Sequence, residues 1–377
     1  MLMDIWSGFN KSSSQEWEEK VLFDFKDKII EDFYWKTEYG KINPFLIDNE
    51  SIVNEKSQNF NEIRWKFNNE NKLNSQILNR LNDGINSINI NKINFNHSIF
   101  DNVMCSIIQN HVILNSKTDS FEIEQWNNWG KKEIQGSIRM DPLENILENF
   151  SPSKLNDQFR SYENFNNIIK NKALKCLFVN GEIYLKYFID FSTEIAFLAA
   201  HFNEIIEYHK TNNIDIPEKV MIQTFLGNSF LESISKIKAI RCIINQIIKT
   251  HGLKMYIFIE TSPNPEILKQ KEFDFRLIAI SSTVLSSILG GANSFEMSDS
   301  LLETDEEYWK KIMINIPLIL TEESKVKHEM SKGAYMIEQI SKKMAHTSWE
   351  IFKEIENKNG LIKLVNNKKH ANYFKSK

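Results

Sequence analysis

The chain has 377 residues, 41% hydrophobic and 25% charged, a composition that belongs to a folded globular protein and not to a disordered one. Forty-six Lys and Arg stand against 50 Asp and Glu, a net charge of −4, so nothing in the balance marks it for nucleic acid or an anionic membrane. The length suits one large domain with an arm, or two modest domains.

The opening Met1-Leu2-Met3-Asp4-Ile5-Trp6 has no basic region followed by an apolar run, so no secretory signal is read there. Cys105, Cys176 and Cys242 are an odd number, far apart and without metal-ligand spacing, which fits a reducing, cytoplasmic setting. The most apolar run, Leu277 to Ala292, carries four serines and is shorter than the ~20 apolar residues of a spanning helix, so no membrane role is expected.

In chain order, residues 14 to 33 read as one amphipathic helix, with Trp17, Val21, Leu22, Phe25, Ile29 and Phe33 at steps of three and four and Ser14 as N-cap. The aromatic segment Phe33-Tyr34-Trp35 and a polar connection to residue 61 complete an arm that lies on its own domain or on a partner chain. From Arg64 onward short β-like runs alternate with helical patterns. Expected strands are Ile85–Ile90, Ile107–Leu114, Ile134–Ile138, Cys176–Val179, Val220–Phe225, Met255–Glu260 and Ser294–Met297.

Two helices between them are well marked. One runs from about Ser192 to Tyr208. The other runs from Asn228 to Thr250, with Ser229 and Glu232 as a capping box and Gly252 as its stop. Helices are also read over Thr304–Leu320, behind the acidic Glu303, Asp305, Glu306 and Glu307, and over Gly333–Asn357. Strands alternating with helices imply a parallel sheet, either open and doubly wound or closed as a TIM-type β/α barrel. No phosphate-binding G-x-G-x-x-G or G-x-x-x-x-G-K follows a strand, and the barrel is the expected fold. The division is an N-terminal helical arm and linker over 1–61, a barrel with C-terminal helices over 62–360, and a basic tail over 361–377.

Chemistry is sparse. Eight scattered histidines include no H-x-x-x-H pair, so no metal site is expected, and no G-x-S-x-G presents a nucleophile. Glu260-Thr261-Ser262 follows an apolar strand, where barrel active sites form. A carboxylate there, Glu260 or Glu182, could serve a small-molecule enzyme as acid or base. An ordinary strand-to-loop turn explains the same string.

Several strings, taken in order, resemble the small subunits of methylmalonyl-CoA mutase. They are Phe33-Tyr34-Trp35-Lys36-Thr37-Glu38, the strand Ile134 to Asp141-Pro142-Leu143, Gly227-Asn228-Ser229-Phe230 with Lys236, Ala239 and Arg241, and Leu289-Gly290-Gly291-Ala292. Asn315-Ile316-Pro317-Leu318 through Glu323-Ser324 and Gly333-Ala334-Tyr335 follow.

The resemblance implies a barrel threaded by acyl-CoA. It also implies a complex that interconverts succinyl-CoA and methylmalonyl-CoA by a radical shift. Adenosylcobalamin is expected on a catalytic large subunit, because no Asp-x-His-x-x-Gly string occurs in this chain. Trp17, Phe33, Tyr34 and Trp35 are the expected contacts with that subunit.

Two catalytic strings are altered. Where catalytic subunits read Ser-Gly-Tyr-His, this chain reads Asn180-Gly181-Glu182-Ile183; where they read His-x-Gln-Thr-Ser-Gly, it reads Phe258-Ile259-Glu260-Thr261-Ser262-Pro263. An isoleucine donates no hydrogen bond and an ionised glutamate only accepts. A non-catalytic subunit is therefore implied, with Asn180, Gly181, Glu182, Ile183, Glu260, Thr261 and Ser262 as vestigial barrel-mouth positions. The alternatives are a barrel without a partner, binding acyl-CoA or nothing, and the enzyme using Glu260.

Overall fold

The structure, a computed structural model, describes residues 13–43, 59–67, 72–91, 101–108, 111–117, 135–149, 155–169, 174–186, 190–269, 272–299 and 307–367. Helix α1 is Ser14–Asp24, capped by Ser13, whose hydroxyl accepts from the Glu16 amide while the Glu16 carboxylate accepts from the Ser13 amide. The expected continuation to residue 33 is replaced by a turn and a short 3-10 segment, Ile30–Phe33. Among the described side chains of α1 only Trp17, Glu18 and Val21 are even half-buried, and a short helix without a face to dock gains little by lengthening. A hairpin, Trp35–Thr37 with Gly40–Ile42, then lies on the chain's own barrel: Ile42 is buried in the main core and Trp35 and Tyr39 pack against it.

The barrel strands are β1 Glu62–Phe67, β2 Ser87–Asn91, β3 Ile113–Lys117, β4 Gln135–Arg139, β5 Leu177–Val179, β6 Lys219–Leu226, β7 Tyr256–Pro263 and β8 Ser294–Ser298. All neighbours are parallel in the order β4-β3-β2-β1-β8-β7-β6-β5, and a bridge between Ile138 and Lys175 brings the two ends together. The fold is a TIM-type β/α barrel. Strand β1 had no counterpart among the expected strands. The strand expected over Ile107–Leu114 starts only at Ile113, because residues 101–106 form a helical turn with Ser106 at φ +64°.

Around the strands run α2 Leu73–Asp83, α3 Glu144–Asn149, α4 Leu155–Ile168, α5 Phe191–Thr211, α6 Phe230–Thr250, α7 Phe273–Gly290, α8 Glu307–Leu318, α9 Tyr335–Asn357 and α10 Gly360–Asn366. Residues 361–366 thus belong to a helix that buries Leu361, Leu364 and Val365. Glu303, Asp305 and Glu306 lie outside the described residues. Helix α6 buries Ile237, Ile240, Ile244, Ile247 and Ile248 toward the sheet and α9, each burial stabilising by about 1.5–3 kcal/mol. The expected capping box of α6 is not made. Ser229 is the N-cap but makes no side-chain bond, and Glu232 instead accepts from the Tyr39 hydroxyl at 2.6 Å, tying the arm to the barrel. Among the described residues no helix is long and apolar enough to cross a membrane.

Candidate functional site

The inside of the barrel is built by strand alternation. In β1 the residues Ile63, Trp65 and Phe67 join the apolar layer under the helices, which leaves Glu62, Arg64 and Lys66 facing inward. The same alternation turns Ser87 and Asn89 of β2, Asn115 of β3, Ser137 and Arg139 of β4, Gln223 of β6, Glu260 of β7 and Glu296 of β8 into the lumen, all of them buried. A small apolar cluster of Cys176, Phe178, Met221 and Phe258 fills the side of the lumen lined by β5, β6 and β7.

Glu260 is the centre of this interior. Arg139 of β4 grips it with two parallel hydrogen bonds, Nη1 to Oε1 at 3.1 Å and Nη2 to Oε2 at 2.9 Å. Arg64 of β1 forms an ion pair with the same carboxylate, and Gln223 Nε2 of β6 donates to Oε1 at 3.2 Å. Groups from three strands converge on a carboxylate carried by a fourth, which only an interior position allows. Arg64 also pairs with Glu62, whose carboxylate accepts from Ser87 at 2.9 Å; Ser87 in turn accepts from Asn115 at 3.0 Å. Asn89 donates to Glu296.

The guanidinium of Arg64 lies over the Phe258 ring and that of Arg139 over Phe178, at 5.7 and 5.3 Å. Burial, then the like charge of Arg64, presses the Arg139 pKa down to about 9, still protonated at neutral pH. Burial pushes the Glu62 carboxyl up, yet the charge and hydrogen bond of Arg64, with Lys219 behind them, hold it below the usual range.

The expected mouth residues do not share one point. Glu260 is the fifth of eight residues in β7, and it lies inside the lumen with no exposed surface. Its oxygens are already engaged, so it presents no face to a substrate. Thr261 points the other way, toward α7, where its hydroxyl meets Ser287 at 2.6 Å and donates to the Ser294 carbonyl at 2.9 Å. Ser262 faces inward and is buried. Asn180, Gly181 and Glu182 do stand at the C-terminal mouth. Asn180 accepts from the Glu182 amide at 3.0 Å, and Glu182, half exposed, pairs with Lys66 at 3.4 Å. Ile183 is buried in the outer apolar core, away from the lumen.

Gly181 has a packing reason: a Cβ there would lie 2.0 Å from the Gln223 carbonyl oxygen. Gly290 likewise lets α7 approach Ile237 of α6. Lys236 and Arg241 of α6 are structural ties. Lys236 donates to both oxygens of Glu194 at 2.7 Å and to the Phe225 carbonyl, and Arg241 donates to the carbonyls of Ile257 and Gly291.

The Asp of Asp141-Pro142-Leu143 anchors the mouth of β4 to β5. It accepts from the Asn180 amide and from His201 Nε2, both at 2.9 Å, and His201 Nδ1 meets the Tyr184 hydroxyl at 3.0 Å. Burial and then Asp141 raise the Tyr184 hydroxyl well above its usual range, so it serves as a neutral donor. The sequence reading missed Arg64, Arg139, Glu62 and Glu296 as a site. The available signal was the charged-apolar alternation of Glu62-Ile63-Arg64-Trp65-Lys66-Phe67.

Among the described residues no cluster of His, Cys, Asp or Glu could hold a metal ion. His201 is enclosed between Asp141 and Tyr184; His209 is engaged by Tyr162 and the Asp215 carbonyl; His251 is engaged by Asn203 and Lys210.

The sequence profile of methylmalonyl-CoA mutase matches residues 84–373. A methylmalonyl-CoA mutase of Rhizobium meliloti (strain 1021) is 22% identical over 186 residues, which is 46% of this chain and 26% of that protein. The matched region thus spans about a quarter of that relative. Among solved structures, a dihydropteroate synthase of Yersinia pestis aligns at a TM-score of 0.40 with 11% identity, over 69% of this chain and 93% of its own. The L-Ala-D/L-Glu epimerase of Bacillus subtilis aligns at 0.35 with 10% identity, over 66% and 57%. Likenesses this distant carry no functional weight.

Proposed function

The chain belongs to the methylmalonyl-CoA mutase family, and from that premise we propose that it is a non-catalytic subunit of a heterodimeric mutase. The observation that carries this reading is the ion network of Arg64, Arg139 and Glu260, which has essentially no exposed surface. An acyl chain threading the barrel axis would have to displace two guanidiniums and their shared carboxylate from mutual contact. Separating such a buried set costs several kcal/mol, more than a thin pantetheine-like chain regains.

On this reading the radical isomerisation of succinyl-CoA and methylmalonyl-CoA takes place on a large catalytic subunit. That subunit holds adenosylcobalamin, which supplies the radical when bound, and acyl-CoA reaches the complex there. This chain's own residues provide a rigid barrel and a docking arm in the cytoplasm. The arm supports the partner: Leu22, Phe23, Phe25 and Ile29 are exposed, Phe23 by 65% and Ile29 by 61%, on a segment that packs little on its own barrel. Trp17, Phe33 and Tyr34 are half-buried beside them, whereas Trp35 is already used against the chain's own core.

Co-expression with a cobalamin-binding large subunit, followed by size exclusion and a mutase assay with adenosylcobalamin, tests this. A one-to-one complex is expected, lost in the Leu22→Asp, Phe25→Asp double variant while the isolated chain keeps its fold. A chain that elutes alone beside a large subunit active without it overturns the reading and leaves the partnerless barrel in its place.

A further inference from the structure

The buried carboxylates of the barrel mostly face a cation. Glu260 meets two arginines, Glu194 meets Lys236, and Glu338 meets Lys238 at 2.9 Å. Glu204 of α5 and Glu356 of α9 act on each other instead. Asn203 donates to Glu356 Oε2 at 3.1 Å, while Oε1 is buried without a hydrogen-bond partner, the one carboxylate oxygen among the described residues in that position. Glu204 Oε1 accepts from the Ile362 amide at 3.1 Å and so ties the first turn of α10 to α5. Helix α10 is joined to α9 by Lys358 and Asn359 alone, and it starts from two left-handed residues, Asn359 at φ +68° and Gly360 at φ +87°. A Cβ on Gly360 would stand 2.3 Å from Glu204 Oε1, so only glycine lets the carboxylate reach this turn. Beside the tie lies a cavity of about 540 Å³, lined by Glu204, Glu207, Tyr208 and Ile362 among others.

We propose that Glu204 and Glu356 form a proton-operated clasp on the C-terminal helix. While one proton sits on the pair, α10 stays docked on α5 and α9. When both carboxylates ionise, their repulsion pushes the end of α9 from α5 and draws α10 off on the Asn359–Gly360 hinge. The buried side chains of Leu361, Leu364 and Val365 are then uncovered. The device does not depend on the subunit role assigned above.

The surroundings leave the repulsion unrelieved. Burial, then Glu204, pushes the Glu356 carboxyl up to about 7, and burial raises Glu204 against the pull of the Ile362 and Leu361 amides. Among the described residues no lysine or arginine pairs with either carboxylate. From α5 the further charge on the pair is Glu207, and His201, which acts on Glu204, is held between Asp141 and Tyr184. At the end of α6, His251 lies 3.6 Å from Glu207, but burial and Lys210 lower its pKa and keep it neutral. Lys238 of α6 and Lys353 of α9 are taken by Glu338 and Glu350, and Lys249 of α6 and Lys363 of α10 are exposed. The docked form holds a proton that the released form gives up, so docking is strongest in acid and weakens as pH rises through about 7.

Hydrogen exchange of the full chain, read by peptide mass spectrometry at pH 6 and pH 8 and corrected for intrinsic exchange rates, tests the clasp. Protection of residues 361–366 is expected to lie below that of α6 at both values, and to fall by about threefold to tenfold between them. Glu356→Gln should abolish the fall, and Glu204→Gln should reduce it. Protection of 361–366 that is equal at the two pH values, or that matches α6 throughout, overturns the proposal from the unmodified chain alone. So does an undiminished fall in Glu356→Gln.

Discussion

Two layers of this barrel are equally buried and chemically opposite. The sheath between strands and helices is built from Ile, Leu, Phe and Ala, such as Ile240 and Ile244 of α6 and Phe197 and Phe202 of α5. The lumen a few ångströms away is held by Arg64, Arg139, Glu62, Glu260 and a ladder of Ser and Asn. Apolar packing is tolerant of shape because its attraction has no direction. An interior ion network is intolerant, because removing one member leaves the others charged and unpaired. A buried position therefore does not by itself tell how costly its substitution will be; the partner does.

The comparison can be broken most directly by two isosteric changes. Glu260→Gln removes the shared counter-charge of two guanidiniums and is expected to cost about 3–5 kcal/mol. Ile244→Leu, of equal volume in the sheath, is expected to cost about 1.5 kcal/mol or less. Denaturant titration of both variants checks this, and equal losses would remove the distinction between the layers. Gly181→Ala presses a Cβ onto the Gln223 carbonyl and is expected to cost about 3 kcal/mol by the same measurement, with Gly227→Ala, whose Cβ meets only a ring edge at 3.5 Å, as the mild control.

A pH effect comes from the outer layer. Glu356 of α9 is pushed up to about 7 by burial and by the neighbouring Glu204. The native state thus keeps a proton that the unfolded chain, with a carboxyl near 4.5, releases. That contribution is complete below pH 4.5 and is lost as pH rises toward 7. Glu356→Gln should raise stability at pH 8 by on the order of 1 kcal/mol, reduced from the full shift because the group is partly open to solvent. At pH 4 it should change little. Thermal melts at both values test the sign.

The smallest effect is expected at the rim. Glu182→Ala removes a half-exposed pair with Lys66 and should cost about 0.5 kcal/mol or less. In the reconstituted complex it should leave mutase activity unchanged, and a clear loss would move the chemistry back to this barrel.

Much of the sheath was legible from sequence. The stripe of Ile237, Ile240, Ile244 and Ile247 placed α6, the stop at Gly252 set its end, and apolar runs placed β6, β7 and β8. The altered strings at 180–183 and 258–263 were legible too, as departures from a family pattern. Their positions in space were not. Glu260 belonged to a turn at the mouth by sequence and to the middle of the lumen by structure, because β7 runs three residues past it to Pro263. The capping role expected of Glu232 gave way to Tyr39, a contact across 193 residues.

Sequence by itself determined the alternation of strand and helix, the apolar faces, and the charged-apolar alternation of β1, since periodicity is a property of neighbours along the chain. What it could not assign was the side on which those charges lie. Glu62, Arg64 and Lys66 read equally well as a solvent face, and only closure of eight strands turned that face inward and set Arg64 and Arg139 against Glu260. Pairing of charges from β1, β4 and β7 depends on distance in three dimensions, which no local pattern encodes.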